Sequence, residues 1–81
     1  MAIRLSELPL DREAAILAVE DAAPGDLIAA RLRVLGFVLD ECVRVVAQGP
    51  IGADPLLIQV GYTRFALRRS EAARVLVNPV A

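Results

Sequence analysis

Hydrophobic positions along the chain fall into short segments, each closed by residues that form turns. Residues 13–20 read Glu-Ala-Ala-Ile-Leu-Ala-Val-Glu. They are apolar on both faces and bounded by acids. A short helix could show the same pattern, but Asp21-Ala22-Ala23-Pro24-Gly25 then breaks the chain, which favours a buried strand. In residues 26–35 the period changes. Ile28, Leu32 and Leu35 recur at i, i+4 and i+7, one face of a three-turn helix. Leu27 and Val34 widen that face, and Arg31 and Arg33 point away from it. Asp26 stands at the N-terminal end, where a negative charge suits the helix dipole. Gly36 and Phe37 predict a Schellman end, with the glycine in a left-handed conformation and Phe37 folded back on Leu32.

Beyond the helix the period is that of strands. Residues 42–48 are valine-rich and alternate around Arg44. Residues 49–55 are crowded with turn formers and predict a loop. Residues 56–60 predict a strand, Gly61-Tyr62 a two-residue turn of type II′, and residues 63–67 the returning strand. Ser70 is positioned to cap a helical turn over residues 71–74, and residues 75–77 predict a closing strand. Near the start, Ser6 before Pro9 predicts another single capped turn. The chain is therefore mainly β, with about five antiparallel strands, one helix after the first strand and helical turns near the termini. So few short strands cannot make two full sheets. They are expected to close into one small barrel without exposed edges.

Composition narrows the picture. At 81 residues there is room for one domain, residues 1–81, with a thin core. The apolar fraction is 57%, above the usual ~45–50%. A membrane span does not explain it, because the longest uncharged apolar run, residues 34–39, is far short of about 20 residues. No secretory signal is visible in the first residues. The excess goes to a core and an apolar partner patch, or reflects alanine, which adds little hydrophobicity. A net charge of -1 gives no general attraction to nucleic acid.

Candidate chemistry is sparse. Without histidine the chain lacks the usual general base and the commonest transition-metal ligand. Without lysine it has no Walker loop. Cys42, the one cysteine, cannot form an internal disulfide and reads as a buried, inert thiol in a strand. Asp40-Glu41-Cys42, with Asp11 and Glu13 behind it, is the one dense set of metal-type ligands. Neighbours along a strand face opposite ways, so Glu41 and Cys42 would not converge. No catalytic residue, metal site or cofactor is expected.

The order of these pieces resembles the FeoA family over nearly the whole chain. Leu5-Ser6-Glu7-Leu8 is similar to the family's opening, and Arg31 through Phe37 to its helix ending in leucine-glycine and an aromatic residue or methionine. Pro50-Ile51-Gly52-Ala53-Asp54-Pro55-Leu56 resembles its proline-leucine-glycine-aspartate-proline loop. Gly61-Tyr62 and Phe65 through Ala72 resemble its hairpin and ALR-x-x-EA run. Two positions depart. Leu39-Asp40 stands where the family usually has proline-glycine, so that turn is expected to be made differently, with Asp40 as its carrier. Ala53 is an extra residue in the loop.

The resemblance implies an SH3-like barrel and a non-catalytic, cytoplasmic accessory role in bacterial ferrous-iron uptake. The implied partner is a FeoB-type membrane transporter, with the chain held at the inner face of the membrane through it. Self-association stays open, and no nucleic-acid partner is implied. The alternatives are a regulatory module related to the C-terminal domain of metal-dependent repressors, or a weak nucleic-acid-binding barrel. The candidate partner contacts are Leu35 and Phe37 at the helix end, Pro50, Gly52, Asp54 and Pro55 in the loop, and Arg68 and Arg69 from a cluster with Arg64 and Arg74. Phe37 also reads as core. The loop is preferred, because loops on rigid scaffolds carry contacts.

Overall fold

The computed structural model describes residues 1–80. Six strands, β1 (Ile3–Arg4), β2 (Glu13–Val19), β3 (Cys42–Ile51), β4 (Asp54–Val60), β5 (Thr63–Leu67) and β6 (Val75–Pro79), form one sheet. Their order is β1-β6-β2-β3-β4-β5, and each pair is antiparallel. A 3-10 turn (Leu5–Glu7) follows β1, helix α1 (Leu27–Leu35) joins β2 to β3, and the short helix α2 (Arg69–Ala72) joins β5 to β6. This is a mainly β, SH3-like architecture. It has one strand more than the sequence predicts, because β1 is too short to carry an alternating pattern.

Register shifts curl the sheet. In β2 the pairing with β6 slips between Ile16 and Ala18, and in β3 the pairing with β4 slips between Val45 and Ala47. Each unpaired residue increases local twist and bends its strand, which wraps a single sheet around a core. Val43, Val45, Leu56, Ile58, Val75 and Val77 point inward, and Leu5 of the 3-10 turn and Leu8 just after it pack with them. Fully burying side chains of this size contributes about 1.5–3 kcal/mol each. The expected loss of all edges does not occur. No strand pairing joins β1 to β5, since the chain leaves β1 after two residues and coils into the 3-10 turn.

Helix α1 starts and stops as predicted. The Asp26 carboxylate accepts from Ile28 N–H at 3.0 Å and Ala29 N–H at 3.3 Å. Gly36 sits at φ 111°, with Phe37 N–H donating to Leu32 O and Gly36 N–H to Arg33 O. A side chain at that φ is disfavoured, so glycine is needed there. The buried face differs from the prediction. Ala29 and Leu32 form its centre, and Leu27 and Val34 are 84% and 87% exposed. At 100° per residue Leu27 and Val34 lie on the side of the helix opposite Ala29 and Leu32, so they face water.

Neither serine caps a helix. The N-cap positions are Arg4 and Arg68, each two residues upstream of the serine. At each, a glutamate three residues on closes the turn: Glu7 accepts from Arg4 N–H at 2.9 Å and Glu71 from Arg68 N–H at 2.8 Å. A carboxylate reaching back satisfies an orphan donor as a serine hydroxyl would, and its charge also suits the helix N-terminus.

Candidate interaction surface

The segment predicted as a seven-residue loop is mostly strand. β3 continues through Gly49, Pro50 and Ile51, β4 begins at Asp54, and Ile51 pairs with Asp54. Only Gly52 and Ala53 turn the chain, at φ 63° and 55°. Positive φ at both central residues is the type I′ geometry, whose twist matches that of the flanking strands. The extra alanine therefore completes a tight hairpin. Gly49 permits it: a Cβ there would run into the backbone of Asp54 and Pro55.

The hairpin tip is held to the body by Arg69. Its Nη1 donates to Ala53 O at 3.2 Å and its Nη2 to Ser6 O at 2.6 Å, while its backbone N–H donates to the Asp54 carboxylate at 3.0 Å. Arg69 and Asp54 are thus engaged within the chain. Arg68 stays exposed and, with Ile51, Asp54 and Pro55, lines a shallow concavity of about 510 Å³. Ile51, not among the contacts expected from the sequence, is 84% exposed at its edge. An aliphatic residue set between proline and glycine in a turn segment is the signal that marks it.

Leu35 and Phe37 divide. Phe37 is 1% exposed and meets Phe65 with ring centroids 5.8 Å apart. A tilted aromatic pair at that distance contributes about 0.5–1.5 kcal/mol. Phe37 is core, not a contact, because the Schellman turn directs it inward. Leu35 is half-buried and lines a second groove of about 290 Å³ between α1 and β5, together with Ile28, Arg31, Leu32 and Arg64. The four clustered arginines also divide. Arg69 is the clamp described above, and Arg74 pairs with Asp26 at 2.6 Å. Arg64 and Arg68 remain exposed.

Two further positions differ from expectation. Cys42 is exposed rather than buried, as the first residue of β3 with its side chain on the outer face. Burial of the thiol against its neighbours and a hydrogen bond with Glu13 nonetheless push its pKa up. Asp40 has φ 68°, and Glu41 N–H donates to Val38 O at 3.1 Å. That places positive φ at the third position of a Val38–Glu41 turn, as in type II, which favours proline then glycine at its centre. Leu39-Asp40 thus makes the kind of turn that proline-glycine would make. Among the described residues no three of His, Cys, Asp and Glu gather as metal ligands.

A curled antiparallel sheet with two short helices and a tight distal hairpin defines a small SH3-like barrel. The family model of the FeoA domain matches residues 3–79. The crystal structure of Stenotrophomonas maltophilia FeoA complexed with zinc, described as a prokaryotic SH3-domain protein, superposes with a TM-score of 0.88 at 59% identity, covering 94% of this chain and 89% of that one. The solution structure of Chlorobium tepidum FeoA superposes at 0.82 with 30% identity, over 98% and 71% of the two chains. A manganese-dependent transcriptional repressor shares the fold alone, with a TM-score of 0.81 and 18% identity over 98% of this chain and 42% of that one. No curated protein matches the sequence. The chain belongs to the FeoA family, which is associated with ferrous-iron transport.

Proposed function

We propose that the chain is a non-catalytic accessory protein of ferrous-iron uptake that docks the tip of its β3–β4 hairpin on the cytosolic part of a FeoB-type transporter. Family membership supports the pathway. The observation that carries the contact is Ile51, 84% exposed on a tip that Arg69 ties to the barrel at Ala53 and Ser6. A large aliphatic side chain held out in water on a rigid support loses little entropy on docking, and its burial drives association. Pro50, Pro55 and Arg68 surround it with further exposed surface. In this reading the chain works in the cytoplasm and meets the membrane only through its partner. Among the described residues no helix is long and apolar enough to cross a membrane.

The test is titration of the isotope-labelled chain with the soluble GTP-binding domain of such a transporter. Amide shifts are expected over residues 50–55 and at Arg68, and Ile51→Glu should abolish them while leaving the free spectrum folded. Absence of any shift at millimolar partner would overturn docking on that domain.

A further inference from the structure

The second groove lies beside an open strand edge, away from the hairpin tip. β5 is the last strand of the sheet. In its hairpin with β4, Val60 faces Thr63 across a two-residue turn, Ile58 faces Phe65 and Leu56 faces Leu67. The pair closing a two-residue turn exchanges its hydrogen bonds, and bonded pairs then alternate along the ladder. Thr63, Phe65 and Leu67 therefore turn their backbone groups to β4. Arg64 and Ala66 turn theirs outward, and among the described residues no other backbone group takes them up. Both residues are exposed. An edge of this kind is a template for another strand.

The groove follows that edge. Arg64, Phe65, Ala66 and Leu67 form one wall, and Ile28, Leu32 and Leu35 of α1 face them. A space of about 290 Å³ takes a few side chains and is too small for a folded element. Its charge is net positive, Arg31 and Arg64 against Glu71. Arg31 and Arg64 are exposed and neither forms an ion pair among the described residues. Glu71, the acid at the groove, is engaged by Arg68 N–H.

We infer that the edge of β5 and the adjoining groove bind an extended segment of a partner protein in which apolar and acidic residues alternate. The segment adds a strand to β5 through Arg64 and Ala66. Alternate side chains point to opposite sides of an added strand. One set fills the groove against Ile28, Leu32 and Leu35, with Arg31 at its rim, and the other presents carboxylates to Arg64 on the outer face of β5. Backbone bonds supply affinity and the pocket supplies selection, as in other cases of strand addition.

The probe is a capped octapeptide alternating valine with glutamate, titrated into the labelled chain. Shifts are expected at residues 64–67 and at Ile28, Arg31, Leu32 and Leu35, with slowed hydrogen exchange at the Arg64 and Ala66 amides. The same peptide with lysine for glutamate, or with N-methyl groups on alternate residues, should not bind. Arg64→Glu, on an exposed side chain, should weaken binding roughly fivefold or more without disturbing the fold. Ala66→Pro removes an edge donor while leaving the pairing to β4, and should also weaken it. No shift at millimolar peptide, equal binding of the lysine peptide, or shifts confined to residues 50–55 would each overturn the inference. So would a concentration-dependent dimer of the free chain with its β5 amides protected, which would assign the edge to a second copy. Transporter docking at the hairpin tip reads out on different residues and stands or falls separately.

Discussion

The Arg74 guanidinium meets the Asp26 carboxylate at 2.6 Å, with the two side chains only 17% and 6% exposed. The pair ties the N-cap of α1 to the start of β6. Asp26 also accepts from Ala22 N–H at 2.8 Å on the same oxygen, while its other oxygen caps α1. One carboxylate thus fixes the loop before the helix, the helix end and the approach to the last strand.

Loss of Asp26 should therefore cost more than loss of Arg74. In thermal unfolding, Asp26→Ala should lower Tm by more than Asp26→Asn, which keeps one acceptor oxygen. The double variant Asp26→Asn with Arg74→Gln should lose less than the sum of its parts, because the partners share one interaction. Additive losses would show that the two residues act independently.

The same site sets an acid limit. The hydrogen bond from Arg74, and then that from Ala22 N–H, hold the Asp26 carboxyl well below the usual carboxylate range. The unfolded chain binds this proton at about pH 4 and the folded chain only at lower pH. The stabilisation is thus complete above about pH 4 and is lost as pH falls through the depressed folded value. Denaturant midpoints measured from pH 6 downward should fall less steeply for Asp26→Asn than for the parent chain.

Gly49→Ala should damage the β3–β4 hairpin. The added methyl group meets the backbone of Asp54 and Pro55, which cannot swing aside as a side chain would. Overpacking of this kind costs about 1–3 kcal/mol, and the upper end applies against backbone. Urea unfolding gives the loss, and hydrogen exchange should place it at the tip.

Ala53→Gly should stabilise the fold. Alanine at φ 55° carries a left-handed penalty of about 1–2 kcal/mol, against which glycine adds about 0.4–1 kcal/mol of unfolded-chain entropy. A net gain of about 0.5–1 kcal/mol follows. Asp40→Gly at φ 68° should gain less, because aspartate tolerates this region better than alanine. Equal or reversed effects in chemical denaturation would contradict the turn geometry.

Cys42 should be accessible yet slow to react. The residue is exposed, while partial desolvation of its thiol and then Glu13 raise its pKa, so little thiolate is present near neutral pH. Alkylation at pH 8 should run slower than for a free cysteine, and Glu13→Gln should speed it. A rate unchanged by Glu13→Gln would show that the carboxylate has no hold on the thiol.

The helix and the five longer strands were legible from the sequence because their causes are local. Asp26, Gly36 and Phe37 act on backbone groups within a few residues, and the alternation in β3 to β5 follows the pleat. Motif order likewise pointed to the family. In residues 49–55 the local signals and the structure part for a complementary reason. Proline and glycine there signal a turn, but Gly49 and Pro50 belong to a strand because a second strand lies against them.

Contacts distant in sequence belong to the tertiary structure alone. Phe37 goes inward, Cys42 faces out, Arg69 reaches Ser6 across 63 positions and Arg74 reaches Asp26 across 48. A side chain's own sequence neighbourhood says whether it is polar, not which partner comes within 3 Å. The chain alone therefore determined a small mainly β barrel with a capped helix, and the family it belongs to. Only the packed sheet decided which arginines are spent inside, which aliphatic residue stands at the tip, and that β5 keeps an open edge.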